Sequence, residues 1–248
     1  MVRYDFRQSR LYVRDRLASG LRVGFDRDAG NYLRNVLRLA GGDGILLFNG
    51  TDGEWQAELS AEGRRGLTAL VGEQTRPQPR CGDLHYMFAP IKHARLDYMV
   101  QKAVELGASV LQPVFTRHTQ VSRVNLERMR ANVIEAAQQC GVLALPEIAE
   151  PLPFETALGA LSAGRLVVFC DEDAEIADPV AALSGAAPRG TPLAVLIGPE
   201  GGFAEHERSI LLARANTVRL ALGPRILRAD TAAVAALALV QATLGDWM

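Results

Sequence analysis

With 248 residues, 48% of them hydrophobic, and a net charge of −1, the chain has ample material for a packed core, and its bulk charge announces neither a nucleic-acid nor a membrane partner. No apolar run is long enough to cross a bilayer, and Met1-Val2-Arg3-Tyr4-Asp5-Phe6-Arg7 has no apolar signal region behind its charges, so the expectation is a soluble, cytoplasmic protein. Cys81, Cys140 and Cys170 are odd in number and lack metal or redox spacing, and the four histidines are scattered, so no metal site is expected.

Through position 40, nine arginines stand against four acids, while the whole chain has only Lys92 and Lys102 as lysines. Arginine is the better residue for phosphate forks and base stacking, so this local excess is compatible with an RNA-facing surface as well as with plain genome composition. Residues 1–73 read as a small, β-rich, barrel-like domain. It has a helix over 29–39, strands over 45–48, 54–60 and 67–71, and a turn at Asn49-Gly50-Thr51-Asp52-Gly53. Residues 74–82 read as a linker, because Pro77 and Pro79 among polar residues keep the segment extended.

From residue 83 to 248 strands and helices alternate, the pattern of a parallel α/β sheet. Strands are expected over 84–90, 110–115, 165–170, 193–197 and 218–222. Helices are expected over 95–106, over 125–140 with Asn125 as N-cap, over 154–161 and over 232–244, with a further helix between the last two strands.

The apolar run 193–197 stops at Ile197-Gly198-Pro199-Glu200-Gly201-Gly202, a loop at the carboxyl end of a strand. In open α/β sheets ligands bind at that edge, and clustered glycines let main-chain N–H groups approach them. The next strand repeats the pattern: Leu222-Gly223-Pro224 breaks it, and Arg225, Arg228 and Asp230 precede an apolar helix. Neither loop is a P-loop or a Gly-x-Gly-x-x-Gly fingerprint, which argues against ATP and NAD. Lys92-His93-Ala94-Arg95 follows another strand end, where it is either further positive charge at the site or a solvated charge run.

The segment Leu196-Ile197-Gly198-Pro199-Glu200-Gly201-Gly202-Phe203, taken with Leu222-Gly223-Pro224-Arg225-Ile226-Leu227-Arg228-Ala229-Asp230-Thr231-Ala232, resembles the paired signature of the RsmE family of 16S rRNA uracil-N3 methyltransferases, in the SPOUT superfamily. Gln101-Lys102-Ala103-Val104-Glu105-Leu106-Gly107, Arg117, and Tyr32-Leu33-Arg34-Asn35-Val36-Leu37-Arg38 with Gly42-Asp43 extend the resemblance over nearly the whole chain. Asn31 stands where the family commonly has histidine, Ala229-Asp230 where it has Thr-Glu, and Val142 where arginine is frequent.

The resemblance implies an α/β fold: a SPOUT-type parallel sheet with a C-terminal trefoil knot, preceded by a PUA-like β-barrel that binds RNA. It implies a homodimer acting on 16S ribosomal RNA within the small ribosomal subunit, with S-adenosyl-L-methionine as cofactor. The cofactor residues would be Phe169, Cys170, Asp171, Ile197, Gly198, Pro199, Glu200, Gly201, Gly202, Leu220, Leu222, Gly223, Arg225, Ile226 and Leu227. Arg228, or else Arg225, would stabilise the developing uracil anion, and Asp230 or Glu200 would accept the proton or orient that arginine. RNA contacts would fall to Arg7, Arg10, Arg34, Arg38, Lys92, Arg95 and Arg117. The competing readings are a SPOUT enzyme for another nucleotide and a non-catalytic ribosome-assembly factor.

Overall fold

The structure, a computed structural model, describes residues 8–63, 66–175 and 178–247, with His93 described by its main chain alone. The chain divides into two units, one running to Arg80 and taking in Ala137–Leu145, the other comprising Cys81–Ala136 and the chain from Pro146 onward.

The first unit contains β1 (Arg10–Tyr12), β2 (Arg22–Gly24), α1 (Arg27–Asn31), β3 (Gly44–Phe48), β4 (Glu54–Glu62) and β5 (Gly66–Arg76). Its sheet has the order β1-β3-β4-β5-β2, with β1 parallel to β3 and the other pairs antiparallel. Period-two alternation turns Ala57, Leu59, Ala69 and Val71 inward, where they pack with Leu33, Ile45 and Leu47. The Asn49 side chain accepts the N–H groups of Thr51 and Asp52 at 3.0 and 2.8 Å, an Asx turn that carries β3 into β4.

Three expectations for this unit are corrected. The helix expected over 29–39 is α1 followed by a π-helical turn, Tyr32–Val36. It ends because Arg38, at φ 58°, takes the left-handed position usually given to glycine, with the Leu39 N–H reaching back to the Leu33 carbonyl at 2.9 Å. Residues 74–76 are strand rather than linker, because buried Glu54 anchors them. Thr75 Oγ1 and Arg76 Nε donate to Glu54 Oε1 at 2.9 and 2.8 Å, and Arg76 Nη1 reaches the Gly141 carbonyl at 3.0 Å. Arg10, expected to face RNA, is only 7% exposed and donates to Glu54 Oε2 at 2.7 Å, so its charge is committed inside the fold.

The second unit runs β6 (Leu84–Phe88), α2 (His93–Glu105), β7 (Val110–Phe115), α3 (Leu126–Cys140), β8 (Glu147–Ile148), β9 (Leu152–Pro153), α4 (Phe154–Gly159), β10 (Leu166–Cys170), α5 (Pro179–Ala186), β11 (Leu193–Ile197), α6 (Glu205–Ala213), β12 (Thr217–Leu220) and α7 (Ala229–Thr243). Residues 137–140 of α3 fall with the first unit. The parallel sheet has the order β12-β10-β11-β6-β7-β8, with β9 also pairing β7. Every residue of β11 is buried, as expected of a central parallel strand covered on both faces.

Asn125 Oδ1 accepts the Arg128 N–H at 3.0 Å, capping α3 as expected. Helix α5 was not anticipated, although Asp178 accepts the N–H groups of Val180 and Ala181 and Pro179 occupies its first position. Helix α7 starts at Ala229 rather than near Ala232, which places Asp230 in its first turn. Strand β12 ends at Leu220, so Ala221 and Leu222 belong to the following loop. With β10 between β11 and β12, three strand ends lie side by side: Phe169 is in register with Leu196 and Cys170 with Leu220.

Candidate active site

A cavity of about 390 Å³ opens at these three strand ends. Phe169 to Glu172 follow from β10, Ile197 to Glu200 with Gly202 and Phe203 from β11, and Leu220 to Leu227 from β12; Ala229 and Ala232 of α7 close it. Its wall is therefore main chain and apolar side chains, with charged groups at Asp171, Glu172, Glu200, Arg208 and Arg225.

The glycine loop is shaped by what lies beneath it. A Cβ on Gly198 would stand 2.7 Å from the ring of Phe203, whose edge meets Phe169 at 5.2 Å between centroids. Glycine is required there for Phe203 to form the cavity floor. The Gly202 N–H donates to the Pro199 carbonyl at 2.9 Å, closing a tight turn, and Gly202 itself has φ 65°. Gly201 turns away from the cavity, its Cβ position lying 3.3 Å from His118 Cβ. His118 Nδ1 instead bonds the Gly201 carbonyl at 2.9 Å. Gly201, expected to touch the cofactor, does not line the cavity, and its carbonyl contacts the segment after β7.

Asp171 is buried at the end of β10, where Arg208 of α6 bonds Oδ1 and Arg219 Nε donates to Oδ2 at 2.8 Å. Burial pushes this carboxyl up, but the hydrogen bonds from Arg208, Arg219 and the Asp173 N–H outweigh it and hold it below its ordinary value. Asp171 therefore ties three segments of the wall together, with both oxygens already engaged. Burial, reinforced by the Asp171 charge, pushes the neighbouring Cys170 thiol up to about 12, so Cys170 lines the site as a neutral, polarizable surface.

Of the three residues assigned chemistry, Glu200 lines the cavity, Asp230 stands half-buried at the start of α7, and Arg228 is its exposed N-cap residue. Glu200 and Asp230 converge on a third residue, Arg95: its Nη1 is 3.9 Å from Glu200 Oε1 and its Nε 3.8 Å from Asp230 Oδ2. Arg95, read from sequence as an RNA contact, thus belongs to the rim of this site. Lys92, Arg38 and Arg117 are exposed, Arg34 donates to the Gly66 carbonyl at 2.8 Å, and Arg7 lies outside the described residues.

Sequence reasoning gave no site role to Phe203, Arg208 or Glu207. Buried Glu207 accepts the Ala204 N–H and the Arg117 N–H, each at 2.8 Å, and so joins α6 to the loop after β7. A glutamate three residues into a helix, after a glycine loop, was the available signal. Among the described residues there is no His, Cys, Asp and Glu cluster able to hold a metal, and no helix is long and apolar enough to cross a membrane.

A family model for RNA methyltransferase domains matches residues 77–241, and one for the PUA domain of RNA methyltransferases matches 25–71. The ribosomal RNA small subunit methyltransferase E of Rickettsia conorii is 32% identical, over 94% of this chain and 95% of its own. That of Synechocystis is 32% identical, over 86% of this chain and 71% of its own. The crystal structure of a ribosomal RNA small subunit methyltransferase E from Neisseria gonorrhoeae bound to S-adenosyl methionine is 25% identical and superposes with a TM-score of 0.85, covering 97% of this chain and 100% of that one. A cavity built from glycine loops at adjacent parallel strand ends, in a sequence related over nearly its full length to these enzymes, places the chain in the ribosomal RNA small subunit methyltransferase E family of RNA methyltransferases.

Proposed function

We propose that the protein transfers a methyl group from S-adenosyl-L-methionine to N3 of one uridine in the 16S RNA of the small ribosomal subunit. The observation that carries this reading is the cavity at the ends of β10, β11 and β12. Its volume lies within the roughly 300–1,000 Å³ usual for small-molecule sites. The residues fit the cofactor: Phe169, Ile197, Leu220 and Leu227 offer apolar surface for an adenine, and the loops at 198–202 and 221–227 offer main-chain groups for its polar edge.

The cofactor supplies an already activated methyl group. The chain must hold the base in line, receive the N3 proton and shield the exchange from water. Glu200 and Asp230 are the carboxylates nearest Arg95 and serve as acceptors in this reading, and Arg228 and Arg225 stand before α7 as donors for the uracil oxygens, where negative charge builds as N3–H is lost. N3 lies on the pairing edge, so the target uridine is unpaired or extruded when it reacts. Residues up to Arg80 form the RNA-binding domain in this reading, with Arg34 and Arg38 facing RNA. The enzyme works in the cytoplasm as a homodimer, and the family's knotted path runs through the loops around the cavity.

The test is transfer of labelled methyl from S-adenosyl-L-methionine to small subunits lacking the modification, followed by mass spectrometry of the nucleosides. A single 3-methyluridine is expected. Label in another nucleoside would overturn the substrate, cofactor binding without label would point to another RNA or assembly state, and absence of both binding and label would favour an assembly factor.

A further inference from the structure

Folding does not account for the placement of Arg95 at this rim. It lies in the first turn of α2, where a cation opposes the positive end of the helix dipole, a position typically unfavourable by about 0.3–1 kcal/mol. Its two ion pairs, at 3.8 and 3.9 Å, are too long for hydrogen bonds, and its side chain is 37% exposed. Pairs of that kind add little stability. Among the described residues the Arg95 guanidinium has no hydrogen-bond acceptor, so its donors are uncommitted.

The fold brings three independent segments to this point. The Ala89 N–H donates to the Ile197 carbonyl at 2.9 Å, which sets the start of α2 beside the loop carrying Glu200. Helices α2 and α7 pack together, which brings up Asp230 from the first turn of α7. One cation therefore stands between two carboxylates, and the group of three carries a net charge of −1. A surplus negative charge therefore remains at the rim, held in place by a rigid planar cation.

We propose that Arg95 is a positioning residue for methyl transfer, clamping Glu200 and Asp230 together at the cavity rim as a single proton-accepting unit. This rests on the uridine-N3 reading above. In the step it serves, the N3–H bond breaks and its proton passes to the clamped carboxylates. The N3–carbon bond forms, and the electron pair of the breaking carbon–sulfur bond remains on sulfur. The proton then leaves the carboxylate to water. Nη1 faces Glu200 and Nε faces Asp230, so two uncommitted edges of one guanidinium are aimed at both carboxylates at once. A lysine has a single ammonium and cannot span both.

The experiment compares wild type, Arg95→Ala, Arg95→Lys, Asp230→Asn and Arg95→Ala/Asp230→Asn in single-turnover methyl transfer to unmodified small subunits, with cofactor affinity measured by calorimetry. Arg95 does not line the cavity, so cofactor affinity is expected to remain within about twofold of wild type in all variants. The transfer rate should fall on the order of 100-fold in both arginine variants, with Lys failing to rescue and little change in the subunit concentration at half-saturation. In the double variant the two losses should not add, because Arg95 acts through Asp230. Rescue by Lys, additive losses, or a defect confined to half-saturation as in a plain RNA contact would each overturn the proposal. If wild type itself makes no 3-methyluridine, the uridine-N3 reading fails instead.

Discussion

The Glu207 carboxylate accepts the main-chain N–H of Arg117 across 90 residues of sequence, at 2.8 Å, while its other oxygen accepts the Ala204 N–H. This buried group, 2% exposed, joins the loop after β7 to the start of α6, and His118 extends the junction by bonding the Gly201 carbonyl. The glycine loop is thus braced from outside. Glu207→Gln turns one acceptor into a donor facing another N–H, leaving a buried polar group unsatisfied at about 1–3 kcal/mol. We expect a matching loss in urea unfolding and weaker binding of S-adenosyl-L-methionine by calorimetry; unchanged affinity would show that the brace does not shape the cavity.

Gly198 and Gly201 meet different neighbours, so their substitutions should separate. Gly198→Ala puts a methyl 2.7 Å from the Phe203 ring and must displace the cavity floor, whereas Gly201→Ala meets only the exposed His118 side chain, nearest at Cβ, 3.3 Å away. The first should weaken cofactor binding about tenfold, since displacing a packed, half-buried ring costs on the order of 1–3 kcal/mol. The second should stay near wild type. Equal losses in calorimetry would contradict this division of the loop.

Arg10 offers a contrast between charge seen in sequence and charge seen in structure. With Arg76 it surrounds Glu54, whose side chain is 3% exposed, at 2.7 and 2.6 Å. Removing one partner of a buried ion pair typically costs about 3–5 kcal/mol. Arg10→Ala should therefore lower the urea midpoint sharply, and under folding conditions it should leave the salt dependence of RNA binding unaltered. A stable variant with a reduced salt slope would return Arg10 to the RNA surface.

The alternation of strands and helices after residue 83, the all-apolar strand β11 and its break at Gly198-Pro199 were legible because they depend on local periodicity and on residues that interrupt it. All but Gly201 of the expected cofactor residues line the cavity for the same reason: position after a strand end suffices to place them. What could not be read was partnership. Arg10 and Arg34 look alike in sequence, yet one is sealed against Glu54 and the other reaches the Gly66 carbonyl. Likewise, Arg95, Glu200 and Asp230 lie more than a hundred residues apart at their extremes, and only the packing of α2 against α7 unites them. The orientation of Gly201 depends on a turn geometry that a run of glycines leaves open.

Acid should expose the role of Asp171. Its carboxyl and those of Asp52 and Glu54 are held below their ordinary values: Asp171 by Arg208 and Arg219 against burial, Glu54 by Arg76 and Arg10 against burial, and Asp52 chiefly by the Leu17 N–H. In each case the unfolded chain binds the proton more readily than the folded one, so protonation favours unfolding. The stability each contributes is complete above the unfolded carboxyl pKa of about 4 and is lost as the pH falls through the lower native value. Melting temperature should therefore be nearly level from pH 7 to 5, as far as these groups are concerned, and drop below pH 4. Asp171→Asn should melt lower than wild type at pH 7, because Arg208 and Arg219 lose their shared anion, and its melting temperature should fall less steeply below pH 4. A variant with the full wild-type acid slope would show that Asp171 titrates alike in the folded and unfolded chain, and would remove it as the electrostatic anchor of the cavity wall.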